Sequence, residues 1–265
     1  MLTQPSGLGI GTTPSALMAH GINTTIVEID PVVHDFAVKY FGLPPNHVSV
    51  IEDALTYVEA AQRPGHQRER YDYIVHDVFT GGAEPVDLFT TEFLTGLSDL
   101  LKPDGAIAVV SPTYIRSSHG QGIKRRSQNY AGDLLLPSAR LVIHTIKSIF
   151  PTCRIFRESA PLSSSISDAG YDFTNVIVFC TKTPHPFKFR SPGEADFLGS
   201  GARTSYLLPQ HEIDGSMFER REGEGDLQVL KKGRTQKLDE WQRQSAVGHW
   251  GIMRTVLPNL IWENW

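Results

Sequence analysis

The 265-residue chain predicts a doubly wound α/β fold. Its sheet is expected to be mainly parallel and seven-stranded, with a first strand that is stunted or truncated, an antiparallel edge strand, and an irregular C-terminal extension. Three observations carry this reading. A glycine loop, Gly7-Leu8-Gly9-Ile10-Gly11, opens a helix. Apolar strand-like runs then alternate with helical runs as far as residue 181. Three carboxylates, Glu28, Asp53 and Asp77, fall at successive strand ends, where open α/β sheets bind their ligands. The expected division is one domain over 1–183 and an irregular extension over 184–265 that packs on it.

The elements follow in order. Residues 1–6 should supply a central strand before the glycine loop. Leu2-Thr3-Gln4 is weakly apolar and Pro5 is unwelcome in a central strand, so that strand reads as stunted or cut short. Pro14 sits in the first helical turn, where a missing N–H costs nothing, and Gly21 stops the helix. A strand is expected over 24–29 and a helix over 31–41, with Val33, Phe36, Ala37 and Tyr40 on one face and Gly42 at its end. A short strand over 48–51 leads to Asp53, which caps a helix over 54–62. Strands over 72–77 and 106–110 flank a helix over 90–101, with Lys102-Pro103-Asp104-Gly105 as a turn. A helix over 137–150 precedes strands at 154–158 and 175–181. These two strands are joined by a loop containing Ser163–Ser165, which suggests an antiparallel hairpin at one edge of the sheet.

Residues 184–225 are rich in proline, glycine and charge and read as loop or partly disordered; a helix fits 238–247. Three of the four tryptophans, Trp250, Trp262 and Trp265, crowd the tail, too much apolar surface to leave in water. The net charge of −4 gives no electrostatic argument for nucleic acid, and the basic cluster Lys124-Arg125-Arg126 reads as a solvated face. No apolar run is long enough to span a membrane, which points to a cytoplasmic protein with no membrane segment in this chain. The two cysteines, Cys153 and Cys180, lie in strand-like runs. They read as buried thiols, against a disulfide framework or a metal site.

The glycine loop narrows the ligand. Bare backbone lets a ligand approach N–H groups at a positive helix end. About twenty residues on, Glu28 stands where a carboxylate bonds ribose hydroxyls. No Gly-Lys-Ser/Thr follows, which excludes a P-loop, and Thr12-Thr13 occupies the positions where a nicotinamide fingerprint would continue. An adenosyl donor, S-adenosylmethionine or a relative, fits what remains. Gly7, Gly9, Gly11, Glu28, Asp53, Ala54 and Asp77 are the candidate binding residues. Asp53 reads equally well as a helix cap. Asp77, opening a loop that bears Gly81 and Gly82, is the candidate to hold an incoming amine, with His76 and Tyr114 as weaker neighbours.

The motifs Gly7–Gly11, Val27-Glu28-Ile29-Asp30, Glu52-Asp53-Ala54, 73–77 and Leu101–Gly105 resemble those of the spermidine/spermine synthase-like family, within the class I S-adenosylmethionine-dependent methyltransferase fold. The resemblance covers roughly residues 7–181. It implies that Glu28 binds the donor ribose, Asp53 the adenine amine, and Asp77 the attacking amine. It also implies a seven-stranded sheet whose last strand is antiparallel. Two departures stand out. Polyamine synthases place an acidic residue where Ile10 stands and a second aspartate where Thr80 stands. A polycation needs several carboxylates to replace its hydration, so these losses argue against aminopropyl transfer.

The expected activity is therefore methyl transfer from S-adenosylmethionine to an amine or another small nucleophile, or to a protein, with no metal. Aminopropyl transfer from decarboxylated S-adenosylmethionine, in polyamine biosynthesis, is the variant. A non-catalytic interaction protein on the same fold is the reading from another class. A homodimer is a possible assembly.

Overall fold

The computed structural model describes residues 2–63, 65, 70–77, 85–111, 134, 137–158, 160, 172, 174–219 and 229–236. One eight-stranded sheet organises them, in the order β3-β2-β1-β4-β5-β7-β6-β8. Its strands are β1 (Leu2–Ser6), β2 (Asn23–Glu28), β3 (Val48–Ile51), β4 (Tyr71–His76), β5 (Leu101–Ser111), β6 (Thr152–Arg157), β7 (Val176–Thr181) and β8 (His211–Ile213). The first five pair in parallel, and β7 runs antiparallel to both β5 and β6. The architecture is a doubly wound α/β sheet with one strand more than the seven expected.

The topology corrects three expectations. The strand doubted at the start of the chain is present and central, in register with β2 (Thr3↔Thr24) and β4 (Gln4↔Ile74). Pro5 lies opposite Val75 within it. A strand held on both sides tolerates one missing donor that its own sequence would not excuse. The expected antiparallel hairpin of β6 with β7 forms, but β8 lies outside it and β7 inserts between β5 and β6. The edge belongs to β8, antiparallel to β6 through Ile155↔Ile213 and Arg157↔His211, in a stretch that reads as loop. The turn expected at Lys102–Gly105 is absorbed into β5, whose pairing with β4 shifts register between Tyr71 and Tyr73.

Helices cover both faces. The connections α1 (Thr12–Ala19), α2 (Pro31–Phe41), α3 (Ala54–Ala61), α4 (Thr91–Leu100) and α5 (Pro137–Ile149) alternate with the strands. Successive residues of a strand point to opposite faces, and β2 shows the division. Ile26 joins a small core with Leu8, Met18, Ala37 and Leu43, whereas Val27 joins the large core with Phe93, Leu97, Ile107 and Ile146. The helix over 31–41 has the caps its sequence advertises: Asp30 accepts from the Val32 N–H at 2.8 Å, and Gly42 takes φ 68°.

Beyond Thr183 the chain is more ordered than its composition suggests. It forms α6 (Glu194–Phe197), α7 (Gly201–Tyr206), β8 and a 3-10 turn Gly215–Phe218. Phe187 and Phe189 join a ring cluster with Phe156 and Phe179, and the Arg154 guanidinium lies over three of these rings. Phe218 and Leu230 are buried in the large core. The cluster 124–126, the loop at 163–165, the helix suggested at 238–247 and the tryptophan-rich tail lie outside the described residues.

Cys153 and Cys180 form a disulfide, in place of the two thiols expected. They are direct partners across β6 and β7, so strand pairing brings together two sulfurs 27 positions apart in the chain.

Candidate functional site

Strand register assembles the site. Ser6 is the partner of Val27 on one side and of His76 on the other. The next residues along the three neighbouring strands are Gly7, Glu28 and Asp77, which therefore emerge side by side at the carboxyl edge of the sheet. The Glu52 N–H donates to the Glu28 carbonyl at 3.0 Å, which sets the Asp53 corner beside them.

The loop is shaped by its glycines. Gly7, Gly9 and Gly11 all have positive φ, at 89°, 52° and 81°, a region that side chains disfavour. Gly11 also closes the loop: its N–H donates to the Leu8 carbonyl at 2.9 Å, and a Cβ there would lie 3.0 Å from Leu43 Cδ1. Gly9 differs. A Cβ on it would meet nothing within 4 Å, so open space lies over the loop where a ligand would rest on the backbone.

Glu28 is fixed against that loop. Its Oε2 accepts the Leu8 N–H at 2.9 Å and its Oε1 accepts the Asp30 N–H at 3.0 Å. Each oxygen keeps a lone pair for a ligand hydroxyl, and the side chain is nearly buried. Two backbone donors thus set the carboxylate's orientation before any ligand arrives. Asp53 caps α3, its Oδ1 accepting the Leu55 N–H at 3.3 Å, and Ala54 is the first residue of that helix. Asp53 therefore acts as the helix cap that its position suggests.

Asp77 is half-buried, and burial pushes its carboxyl above the usual aspartate range. His76 is wholly buried and faces the large core, with its ring against Phe89 and Phe93 at centroid distances of 5.3 and 5.5 Å. Burial holds it neutral, its pKa pushed down to about 4. It is not placed to act as a base on an acceptor, which removes that role from it. Tyr114, Thr80, Gly81 and Gly82 lie outside the described residues. Sequence reasoning did not find the amide donors Leu8 and Asp30, or Leu43 packed beneath Gly11. No side-chain motif marks these, because they act through backbone and shape.

An open sheet of this order, with a glycine turn, an anchored acidic strand end and a second carboxylate two strands away, defines the class I methyltransferase fold. Human methyltransferase-like protein 13, solved in complex with SAH, shares it at a TM-score of 0.52 and 20% identity, over 87% of each chain. So does a probable spermidine synthase from Corynebacterium glutamicum, at 0.54 and 18%, over 86% of this chain and 75% of that one. Within the fold, residues 9–132 match the spermine/spermidine synthase domain, and the family resemblance holds across that stretch. An N-terminal histidine N-methyltransferase from Emericella nidulans is 52% identical over 266 residues, covering 98% of this chain and 43% of its own length. A polyamine aminopropyltransferase from Vibrio vulnificus is 39% identical over 105 residues, 38% of this chain and 34% of its own. The chain thus spans less than half the length of these curated relatives.

Proposed function

We propose that the protein transfers a methyl group from S-adenosylmethionine to a nitrogen nucleophile, and that the acceptor is the N-terminal histidine of a polypeptide. The observation that supports this most directly is the shared edge of Gly7, Glu28 and Asp77, with open space over Gly9. The acceptor class follows from the Emericella nidulans relative, whose similarity extends over nearly the whole chain.

The donor supplies an electrophilic methyl on a sulfonium. The residues of this chain do the rest. Glu28 holds the ribose hydroxyls, the backbone around Gly9 receives the rest of the donor, and the Asp53–Ala54 corner lies where the adenine amine would sit. Asp77 accepts a hydrogen bond from the acceptor's N–H, aims its lone pair at the methyl carbon, and takes the proton as the carbon–nitrogen bond forms and the carbon–sulfur bond breaks. A carboxyl pushed up by burial is a better proton acceptor than an ordinary aspartate. Catalysis of this kind is mostly positioning. No metal enters this scheme.

The test is a peptide beginning with histidine, incubated with the protein and S-adenosylmethionine and read by mass spectrometry. One added methyl on the free peptide, and none on its N-acetylated form, is expected. No methylation of either peptide, with folded protein and bound donor, would overturn the acceptor. Asp77→Asn should lower turnover by about a hundredfold or more while donor affinity holds; unchanged turnover removes Asp77 as the base.

A second reading, aminopropyl transfer, has support in the Vibrio vulnificus match. It is opposed by Ile10, an apolar side chain 55% exposed in the glycine loop, where polyamine synthases carry an acid. Calorimetric titration with both donors separates the two: binding of decarboxylated S-adenosylmethionine alone would favour polyamine chemistry. Binding of neither would favour a non-catalytic interaction protein.

Assembly and compartment belong to the same reading. Among the described residues no helix is long and apolar enough to cross a membrane. The Cys153–Cys180 bond suits an oxidising compartment better than the cytoplasm. Alkylation of denatured protein from its native host tests this, two labelled thiols restoring the cytoplasmic assignment. Sedimentation tests the homodimer.

A further inference from the structure

We propose that His76 is a positioning residue that ties the end of β4 to the 3-10 turn Val86–Phe89 and thereby fixes the carboxyl of Asp77 at the sheet edge. The inference rests on Asp77 being the acceptor-side carboxylate. His76 and Leu88 are twelve positions apart, with Asp77 between them. The His76 side chain shares a hydrogen bond with the Leu88 backbone, and its ring packs against Phe89 of the same turn and Phe93 of α4. The other carbonyls near that turn are used locally: Pro85 accepts from the Leu88 N–H at 2.9 Å, and Asp87 accepts from Thr90 Oγ1 at 2.8 Å.

The choice of residue is informative. A site this enclosed is filled at no desolvation cost by leucine or phenylalanine, and burying an imidazole is unfavourable unless its polar atoms are used. What histidine adds is a polar link from strand to turn. Strand pairing already fixes residue 76 laterally, against Ser6 in β1 and Val109 in β5. The turn has no strand pairing: Leu88 and Phe89 hold it in the large core, and the bond to His76 is its polar link to the sheet. Through the end of β4 that link holds Asp77, the next residue, where burial pushes its carboxyl up. A neutral imidazole also adds no opposite charge that would pull the carboxyl down again.

The experiment compares His76→Leu, His76→Asn and His76→Gln. Donor affinity is read by calorimetry, methyl transfer to the histidine peptide by kcat and KM, and the Asp77 carboxyl by its carbon-13 titration. In His76→Leu, S-adenosylmethionine affinity should stay within about twofold, because Glu28 and the glycine loop are untouched. Turnover should fall about tenfold to a hundredfold, and the Asp77 titration should move down toward the ordinary aspartate range. One of the two amide variants should restore both, since an amide can replace a ring N–H. A His76→Leu protein with wild-type turnover and an unmoved Asp77 titration would overturn the proposal. So would a parallel loss of melting temperature, donor affinity and turnover that neither amide repairs, which describes a core residue and nothing more. If His76→Leu does not fold, the Asp77 titration in the two amide variants decides, and a downward shift in both overturns it. If the wild-type protein binds donor yet methylates nothing, the transferase reading fails separately, and the Asp77 titration still reports on His76.

Discussion

In the proposed reaction donor binding turns on Glu28, whose two oxygens are oriented by the Leu8 and Asp30 amides before a ligand arrives. Glu28→Gln keeps the shape but places an NH2 against one of those N–H donors. S-adenosylmethionine affinity should fall by about ten- to a hundredfold, the worth of one or two charge-assisted hydrogen bonds, as read by calorimetry. His76 gives a pH dependence at the same scale. Its pKa is about 4 in the folded chain against 6.5 for the ordinary value. The unfolded chain therefore takes up a proton first as pH falls. The stability contributed is full above pH 6.5 and is lost progressively toward pH 4, amounting to about 3 kcal/mol. Melting temperature followed between pH 7 and about pH 4 should decline more steeply in the wild type than in His76→Leu.

Among the elements, the contact between α3 and α4 is the least forgiving. A Cβ at Gly96 would collide with Val58 Cγ1, and both residues are buried. Gly96→Ala should cost about 1–3 kcal/mol by overpacking, measured by denaturant unfolding, and Val58→Ala in the same chain should relieve part of that cost. The elements also show what a sequence reveals. The helix over 31–41 was legible because Asp30, Pro31 and Gly42 act locally, through cap, fixed φ and positive φ. The strand over Leu2–Ser6 was not, because its stability comes from the neighbours on either side. Likewise β8 has three residues and no pattern of its own, and exists because β6 offers it an edge.

For the whole molecule, the fold class and the edge bearing Gly7, Glu28 and Asp77 were readable because both follow from alternation and strand ends. The antiparallel pairing of β7 with β6 was readable too, but its insertion beside β5 was not, since residues 175–181 carry no mark of a second neighbour. The Cys153–Cys180 bond depends on the register of the β6–β7 pairing, which sets the two residues opposite each other, and a hairpin by itself does not reveal its register. The order after Thr183 was masked by composition: Phe187, Phe189, Phe218 and Leu230 are scattered through polar sequence, yet each finds an apolar partner in the sheet or the large core.

The three residues of β8 have an effect out of proportion to their number. They cover the outer border of β6 and leave the sheet two unlike edges among the described strands: β3, whose Val48 and Ile51 side chains are exposed, and the three-residue β8. A short edge offers few unpaired N–H and C=O groups to another sheet, so β8 blunts the border that the longer β6 would present. Detaching β8 with Ile213→Asp, a charge set in the core that holds it, should therefore uncover β6 and raise self-association, and light scattering of the variant over time would show it.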